Sequence, residues 1–176
     1  MESSTLTPPR LIIVMGVSGS GKSTIAKRLA DALDATFLDA DDYHPQHNVD
    51  KMSRGEALND DDRWPWLKTF GEAMSGQNQR CVGACSALKK SYRSCLTESA
   101  NEPILCVYLD GDRDLLMARM SSRTDHFMPP TLLDSQLETL EIPDDSEYTI
   151  SVDISGTPDE IVSQIQTQLE GLSHDE

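Results

Sequence analysis

Residues 16–23 combine three glycines, a lysine and a serine in the spacing of a phosphate-binding loop. They read Gly-Val-Ser-Gly-Ser-Gly-Lys-Ser, and in the pattern G-x-x-x-x-G-K-[ST] the backbone N–H groups point toward bound phosphates. Lys22 adds a positive charge that can reach the β- and γ-phosphates, and the Ser23 hydroxyl can ligate Mg²⁺. The motif predicts nucleotide binding. By itself it leaves open whether the chain is a kinase, a motor ATPase or a GTP switch.

Two carboxylates stand at the C-terminal end of the second predicted strand, residues 36–39. Ligands of open parallel sheets bind outside the carboxyl ends of the strands. Asp39 could therefore hold Mg²⁺, and Asp41 could orient or deprotonate an acceptor hydroxyl. The alternative is that both are turn residues on a solvated loop. Asp110 is a rival metal residue because it ends the apolar run 104–109, although Gly111-Asp112 reads as a turn and a helix cap.

Cations are placed where an anionic ligand could meet them. Lys89 and Arg93 are four residues apart after the third predicted strand, which puts them on one helix face. Their alternative interpretation is a basic surface helix. His44 follows Asp41 closely, which favours a substrate contact, although a lone histidine is usually structural or exposed.

A second basic group lies farther along the chain. Arg119, Arg123 and His126 flank a predicted mobile loop that contains Pro129-Pro130. Phosphoryl transfer needs cations that close over the γ-phosphate and exclude water. The alternative for the two arginines is a set of salt bridges on a helix face.

The elements that must position these residues alternate along the chain, which predicts an α/β fold with a mostly parallel sheet. The predicted strands are residues 11–15, 36–39, 80–85, 104–109 and 148–154. The predicted helices are residues 22–34, 45–54, 63–75, 88–98, 112–122, 132–141 and a last helix from Thr157. In that last helix Thr157-Pro158-Asp159-Glu160 reads as a capping box.

Length and charge restrict the class of protein. The chain has 176 residues and a formal net charge of −15, which predicts one domain and argues against nucleic-acid or anionic-membrane partners. Four cysteines without metal-site spacing suit a reducing, cytoplasmic setting. We expect a disordered leader at residues 1–9, a single domain at 10–171 with a lid at about 123–131, and an acidic tail at 172–176.

Several of these segments together resemble the P-loop gluconokinase family. The likeness covers residues 11–170, and two motifs are its most specific part: Asn-Asp-Asp-Asp-Arg-Trp-Pro-Trp-Leu at 59–67 and Cys-Ser-Ala-Leu-Lys-Lys-Ser-Tyr-Arg at 85–93. The further matching segments are residues 15–23, 38–45 and 126–141. Two positions depart from the family pattern: Asp125 stands where glycine is common, and Leu137 where phenylalanine is common.

The resemblance implies a nucleoside-monophosphate-kinase-like fold with a five-stranded parallel sheet and a mobile lid. It also implies ATP- and Mg²⁺-dependent phosphorylation of D-gluconate at its 6-hydroxyl, which feeds the pentose phosphate pathway. It further implies a cytoplasmic homodimer. The alternatives are a kinase for another small acceptor, such as shikimate or a nucleoside monophosphate, and a nucleotide-binding module without turnover. The guanine-reading motif Asn-Lys-x-Asp does not occur in the sequence.

The motifs and the resemblance together assign residues to roles. The predicted catalytic residues are Lys22, Asp41 and Arg123, the last as the lid arginine. The predicted ATP-binding residues are Gly16, Val17, Ser18, Gly19, Ser20, Gly21, Lys22, Ser23, Thr24 and Arg119. The predicted substrate-binding residues are Asp41, His44, Arg63, Lys89, Arg93 and His126. Ser23 and Asp39 are the predicted metal residues.

Overall fold

The computed structural model describes residues 9–17, 19–121, 130–144 and 146–174. Within this part of the chain, strands and helices alternate as the sequence predicts. The strands are β1 (Leu11–Met15), β2 (Thr36–Asp39), β3 (Cys81–Ala84), β4 (Ile104–Asp110) and β5 (Thr149–Asp153). The helices are α1 (Lys22–Leu33), α2 (Gln46–Ser53), α3 (Asp60–Ser75), α4 (Lys90–Ala100), α5 (Arg113–Ser121), α6 (Pro130–Thr139) and α7 (Pro158–His174), with a 3-10 helix at Ala40–Tyr43.

The five described strands form one parallel sheet in the order β2-β3-β1-β4-β5. Side chains of the central strand β1 alternate between its two faces. Ile12 and Val14 join the cluster that includes α1 and α7, whereas Leu11, Ile13 and Met15 join the cluster that includes α3 and α4. A central strand buried on both faces explains why its sequence is an uninterrupted apolar run.

Helix α3 begins three residues before the sequence-based boundary at Arg63. Asn59 caps it: the Asn59 side chain accepts a hydrogen bond from the Asp62 N–H at 2.8 Å, and the Asp62 carboxylate accepts one from the Asn59 N–H at 3.0 Å. Asp60 to Asp62 therefore form the first turn, where carboxylates suit the helix dipole. Pro65 consequently lies inside the helix, beyond its first turn.

Close packing of α3 against β3 and α4 depends on two glycines. A Cβ on Gly83 would lie 2.8 Å from the ring of Phe70, and a Cβ on Gly71 would lie 2.8 Å from the Leu96 carbonyl oxygen. This packing matters for function because α3 and α4 carry Arg63 and Tyr92 toward the same end of the sheet.

The capping box of α7 is confirmed, with the Thr157 N–H donating to the Glu160 carboxylate at 2.8 Å. Asp112 caps α5 as expected, accepting from the Leu115 N–H at 2.8 Å. Residues 130 and 131 of the expected lid belong to α6, and α7 continues to His174 into the expected tail. Residues 1–8, most of the lid and residues 175–176 lie outside the described residues. No helix in the described part of the chain is both long and apolar enough to cross a bilayer.

Candidate active site

The phosphate-binding loop joins β1 to α1, and its glycines shape it. Gly19 and Gly21 have φ angles of 86° and 87°, in the left-handed region that favours glycine. A Cβ on Gly16 would lie 2.8 Å from the Ser20 hydroxyl oxygen. Gly21 is the N-cap of α1. Because Gly21 has no side chain to cap the helix, the first N–H groups of α1 are left for an anion.

The Val17 carbonyl oxygen is the shared hydrogen-bond acceptor within the loop. It accepts hydrogen bonds from the buried Ser20, from its hydroxyl at 2.7 Å and from its N–H at 3.2 Å. Lys22 folds back over the loop, with Nζ 3.4 Å from the same oxygen. Thr24 is exposed in the first turn of α1, and Ser18 lies outside the described residues. These contacts connect the described residues of the loop to one another.

The described contacts connect the loop to the carboxylates that follow β2. Ser23 donates its hydroxyl to Asp39 Oδ2 at 2.9 Å, and Asp39 Oδ1 accepts the Asp41 N–H at 3.0 Å. A hydroxyl and a carboxylate are oxygen ligands of the kind that Mg²⁺ takes. Asp110 is exposed at the end of β4, where its carbonyl accepts the Ile154 N–H at 3.1 Å. The contact with Ser23 favours Asp39 over Asp110 as the metal residue.

Asp41 presents its carboxylate to solvent beside the loop. The protein around this carboxyl displaces water and raises its pKa, and the negative charge of Asp39 adds to this effect, whereas His44 and Lys22 oppose it. The side chain is nevertheless 84% exposed, so solvent screens these influences. The exposed carboxylate oxygens of Asp41 can accept a hydrogen bond from a hydroxyl group.

His44 is held in a cage beside Asp41. Its ring stacks on Trp66, with the ring centroids 4.2 Å apart and the planes inclined by 17°. The Trp66 indole N–H donates to the Ala40 carbonyl at 2.7 Å, and Asn48 Nδ2 lies 3.2 Å from His44 Nδ1. Burial lowers the pKa of His44, and Asp41 opposes that effect. His44 Nε2 lies 3.9 Å from Asp41 Oδ1.

A structural ion network fixes α2 against α3 below this cage. The Asp62 carboxylate accepts from Lys51 at 2.6 Å and from the Asn59 N–H at 3.0 Å, and it lies 3.0 Å from His47 Nε2. Hydrogen bonds from Lys51 and then from Asn59 hold the pKa of Asp62 down to about 2. Because Asn48 stands on α2, this network sets its position relative to His44.

Two predicted substrate cations converge on one carboxylate. Arg63 Nη1 lies 3.3 Å from Asp60 Oδ1 and Lys89 Nζ lies 3.5 Å from Asp60 Oδ2. Both also lie over the ring of Tyr92, at 5.4 and 5.5 Å from its centroid. The Tyr92 hydroxyl donates to Asp60 at 2.5 Å. Two positive charges and one negative charge leave a net positive cluster, which suits a carboxylate ligand.

The electrostatics of this cluster are consistent with those contacts. Burial and then the hydrogen bond to Asp60 raise the pKa of Tyr92 to about 12, so its hydroxyl keeps its proton and remains a donor. The same hydrogen bond is the main reason that the pKa of Asp60 is lowered. The sequence analysis named Asp60 and Tyr92 only as members of the two family motifs and did not predict them as site residues.

Arg93 differs from the sequence-based expectation of a substrate contact. Its side chain is 4% exposed and donates to both oxygens of Glu147, at 2.7 and 3.1 Å. It also donates to the carbonyls of Ala87 at 2.8 Å, Leu88 at 3.3 Å and Glu141 at 2.9 Å. All five N–H groups of the guanidinium are engaged. The geometry therefore assigns Arg93 to holding the loop before α4, and it leaves no donor for a substrate.

Lys89 and Arg93 do not share a helix face either, because Lys89 is the N-cap of α4 in extended backbone. Arg119 donates to the carbonyls of Ile154 and, at 3.4 Å, Gly156, in the turn between β5 and α7. The predicted lid residues Arg123 and His126 lie outside the described residues.

A groove of about 480 Å³ opens on the outer side of α1 and β2. It includes Ser23 and Asp39 at one end. Its lining residues are Ser23, Thr24, Lys27, Arg28, Asp31, Phe37 and Asp39. The groove therefore does not include the predicted substrate residues Asp41, His44, Arg63 and Lys89.

Comparison with known proteins identifies the family. A family model described as an AAA domain matches residues 11–143, the span from β1 past α6. The thermoresistant gluconokinase of Escherichia coli K12 is 43% identical over 153 residues, which cover 85% of this chain and 87% of that protein. The chain belongs to the gluconokinase family.

Solved structures agree with this membership. The crystal structure of a gluconokinase from Sinorhizobium meliloti 1021 superposes with a TM-score of 0.87 at 45% identity and covers 96% of each chain. Shikimate kinase from Aquifex aeolicus superposes with a TM-score of 0.60 at 16% identity, covering 94% of this chain and 99% of its own, and shows a shared fold. As a gluconokinase family member, the chain is a P-loop kinase that uses ATP.

Proposed function

We propose that this gluconokinase family member transfers the γ-phosphoryl group of ATP to the 6-hydroxyl of D-gluconate, giving 6-phospho-D-gluconate and ADP. The observation that carries the proposal is the contact chain from Ser23 through Asp39 to Asp41. It joins the phosphate-binding loop to the backbone N–H of Asp41, the residue whose carboxylate would receive the acceptor. Relatives that are gluconokinases supply the identity of that acceptor.

In the transfer, a bond forms between the gluconate 6-oxygen and the γ-phosphorus while the bond from the γ-phosphorus to the β–γ bridging oxygen breaks. The electron pair of the broken bond leaves with ADP, and the hydroxyl proton passes to Asp41 late in the step. N–H groups of the loop and Lys22 stabilise the charge that develops on the transferred group. Arg123 is proposed to do the same from the lid, and His126 to contact the substrate there.

Mg²⁺ belongs to this proposal, with Ser23 and Asp39 as the residues that would hold it. Their 2.9 Å hydrogen bond brings together a hydroxyl and a carboxylate oxygen, which are the kinds of group that would hold Mg²⁺. The ion would neutralise charge on the phosphates. Asp39 also accepts the Asp41 N–H, so the same residue fixes the backbone that presents the acceptor carboxylate.

The proposed gluconate site extends from Asp41 to the net positive cluster on α3 and α4. Arg63 and Lys89 would bind the gluconate carboxylate, and the Tyr92 hydroxyl, which accepts a hydrogen bond from Arg63 Nη1 at 3.0 Å, would help to hold the guanidinium in place. Arg is suited to this task because its planar fork matches a carboxylate. His44 would contact the acceptor hydroxyl next to Asp41, and Arg119 would lie near the adenine.

Two broader features complete the proposal. We propose a homodimer, to which the exposed apolar residues Val49 and Met52 of α2 could contribute. We also propose a cytoplasmic location. Burial raises the pKa of the free thiols of Cys81, Cys85 and Cys106 to about 11 or 12, so these thiols act as apolar core groups. Light scattering coupled to size-exclusion chromatography tests the dimer.

The domain limits proposed from the sequence keep the single kinase domain at residues 10–171, with a leader before it and a tail after it. Limited proteolysis with mass spectrometry tests these limits, since cleavage inside residues 10–121 of the folded protein would contradict them.

The main alternative to a gluconate kinase is a kinase for another small acceptor. A coupled ADP-release assay with gluconate, other aldonates, shikimate and nucleoside monophosphates discriminates the two. Gluconate-dependent release at the highest kcat/KM supports the proposal, and release that depends on another acceptor instead would replace it.

A further inference from the structure

An amide, an imidazole and a carboxylate form a connected line beside the phosphate-binding loop. Asn48 of α2 is 1% exposed, and its Nδ2 lies 2.9 Å from the Asp62 carbonyl oxygen and 3.2 Å from His44 Nδ1. On the other side of the imidazole ring, His44 Nε2 faces Asp41 Oδ1 at 3.9 Å.

The Asp62 carbonyl determines which way the Asn48 amide faces. A carbonyl oxygen only accepts hydrogen bonds, so it is the NH₂ group of Asn48 that must point toward it. The second N–H of that group then points at His44 Nδ1. Nδ1 must accept this hydrogen bond, and a neutral imidazole that accepts at Nδ1 carries its proton on Nε2.

The surroundings of His44 favour that neutral ring. The side chain is 6% exposed and stacked on Trp66, and burial lowers its pKa. The charged group that faces it is Asp41, from its own segment. Helices α2 and α3 present the uncharged side chains of Asn48 and Trp66.

The gap between His44 and Asp41 has the size and polarity to bind a hydroxyl group. An oxygen atom can lie about 2.8 Å from both His44 Nε2 and Asp41 Oδ1, because these atoms are 3.9 Å apart. Such a hydroxyl would donate its hydrogen to Asp41 and accept one from the His44 Nε2–H. A hydroxyl is both donor and acceptor, so it satisfies this pair, whereas a group that only accepts or only donates does not.

We infer that Asn48 is a positioning residue: it fixes the His44 proton on Nε2, so that His44 and Asp41 together bind the acceptor hydroxyl. The opposite tautomer would turn a lone pair toward a hydroxyl oxygen whose hydrogen already points at Asp41, and that contact would be repulsive. The role in catalysis rests on the proposed kinase function. The inferred tautomer of His44 does not depend on that function.

The tautomer is measured directly by long-range ¹H–¹⁵N NMR of protein with ¹⁵N-labelled histidine, at pH 7.5 and without substrate. The chain has four histidines, and His44→Gln assigns the His44 signals. The expected pattern is a neutral ring protonated at Nε2. A neutral ring protonated at Nδ1, or an imidazolium, would overturn the inference whatever the enzyme catalyses.

Variants test whether the tautomer matters for the reaction. Asn48→Asp has nearly the same shape but offers only acceptors to His44 Nδ1, so it should move the His44 proton to Nδ1 and lower kcat/KM for gluconate about tenfold, the size of one hydrogen bond. The affinity for ATP should not change. Asp50→Asn, at an exposed position of α2 where the carboxylate accepts from Gln46 at 2.8 Å, is the matched control and should leave both the tautomer and kcat/KM unchanged.

A second pair of variants keeps the test decisive if Asn48→Asp fails to fold. Glutamine can place an amide N–H where His44 Nε2–H lies, whereas asparagine is too short to do so. His44→Gln should therefore retain several times the kcat of His44→Asn, and equal or reversed activities would refute the role. If wild-type protein shows no gluconate-dependent turnover, the proposed function fails, and the NMR result still decides the tautomer.

Discussion

Replacement of Arg93 by methionine is expected to lower the stability of the protein rather than remove a substrate contact. Arg93 and Glu147 form a two-bond ion pair in which the side chains are 4% and 14% exposed. Methionine has a similar length but leaves the Glu147 carboxylate without its cation and three carbonyl oxygens without a donor. Removing one partner of a buried ion pair costs about 3–5 kcal/mol. For a chain of this length that corresponds to a fall in Tm of about 6–20 °C.

Differential scanning calorimetry of purified protein measures this loss. Lys90→Met is the matched control, since it removes the same charge from an exposed position one turn earlier in α4. Lys90→Met should change the free energy of unfolding by no more than about 0.5 kcal/mol. Glu147→Gln should reproduce much of the loss, and the double variant Arg93→Met with Glu147→Gln should lose less than the sum of the two single variants because they share one interaction.

Acidification gives an independent check of the same pair. The hydrogen bond from Arg93 lowers the pKa of Glu147 below its ordinary value of 4.5. A carboxyl with a lowered pKa in the folded state stabilises the protein above its unfolded pKa and loses that contribution as the pH falls through the folded value. The difference in Tm between wild type and Glu147→Gln should therefore be constant above about pH 5 and narrow below 4.5.

Kinetics separate the structural role of Arg93 from a binding role. Measured well below its Tm, Arg93→Met should raise the KM for gluconate less than Lys89→Met does, because Lys89 is proposed to touch the acceptor. An unchanged Tm together with a rise in KM as large as that of Lys89→Met would refute our assignment and return Arg93 to the substrate site.

Three further predictions concern the site itself. Asp41→Asn should reduce turnover about 100-fold or more with unchanged ATP affinity in calorimetry, and normal turnover would remove Asp41 from the mechanism. MgATP at 100 times its Kd should stabilise the wild type by about 2.7 kcal/mol, whereas Lys22→Met should show little of this gain, and an equal thermal shift would contradict the role of Lys22. Asp60→Asn should lower the pKa of Tyr92 from about 12 in an absorbance titration, although burial retains part of the shift, and an unchanged pKa would show that Asp60 does not influence Tyr92.

The phosphate-binding loop and the carboxylates after β2 could be predicted from the sequence because local rules govern them. The motif sets the backbone of residues 16–23, and the rule that parallel strands bind ligands at their carboxyl ends places Asp39 and Asp41 beside it. The five-stranded parallel sheet followed from the family resemblance. Neither required knowledge of which side chains meet across the fold.

The roles of Asn48, Asp60 and Arg93 could not be predicted because contacts between distant segments determine them. Arg93 meets Glu147, 54 residues later in the chain, and no spacing rule reports such a pair. Lys89 and Arg93 were expected to share a helix face, and this prediction was wrong because α4 begins at Lys90. The start of α3 was misplaced for a local reason, since Asn59 and Asp62 form a capping box that the analysis of that segment did not use.

The central claim is that the phosphoryl group held by the loop passes to the 6-hydroxyl of gluconate. The most direct test incubates purified protein with MgATP and D-gluconate and analyses the product by ³¹P and ¹³C NMR. We predict one equivalent of ADP for each 6-phospho-D-gluconate formed, with coupling to phosphorus at carbon 6. No gluconate-dependent ADP, or a phosphate attached to another oxygen of gluconate, would contradict the account.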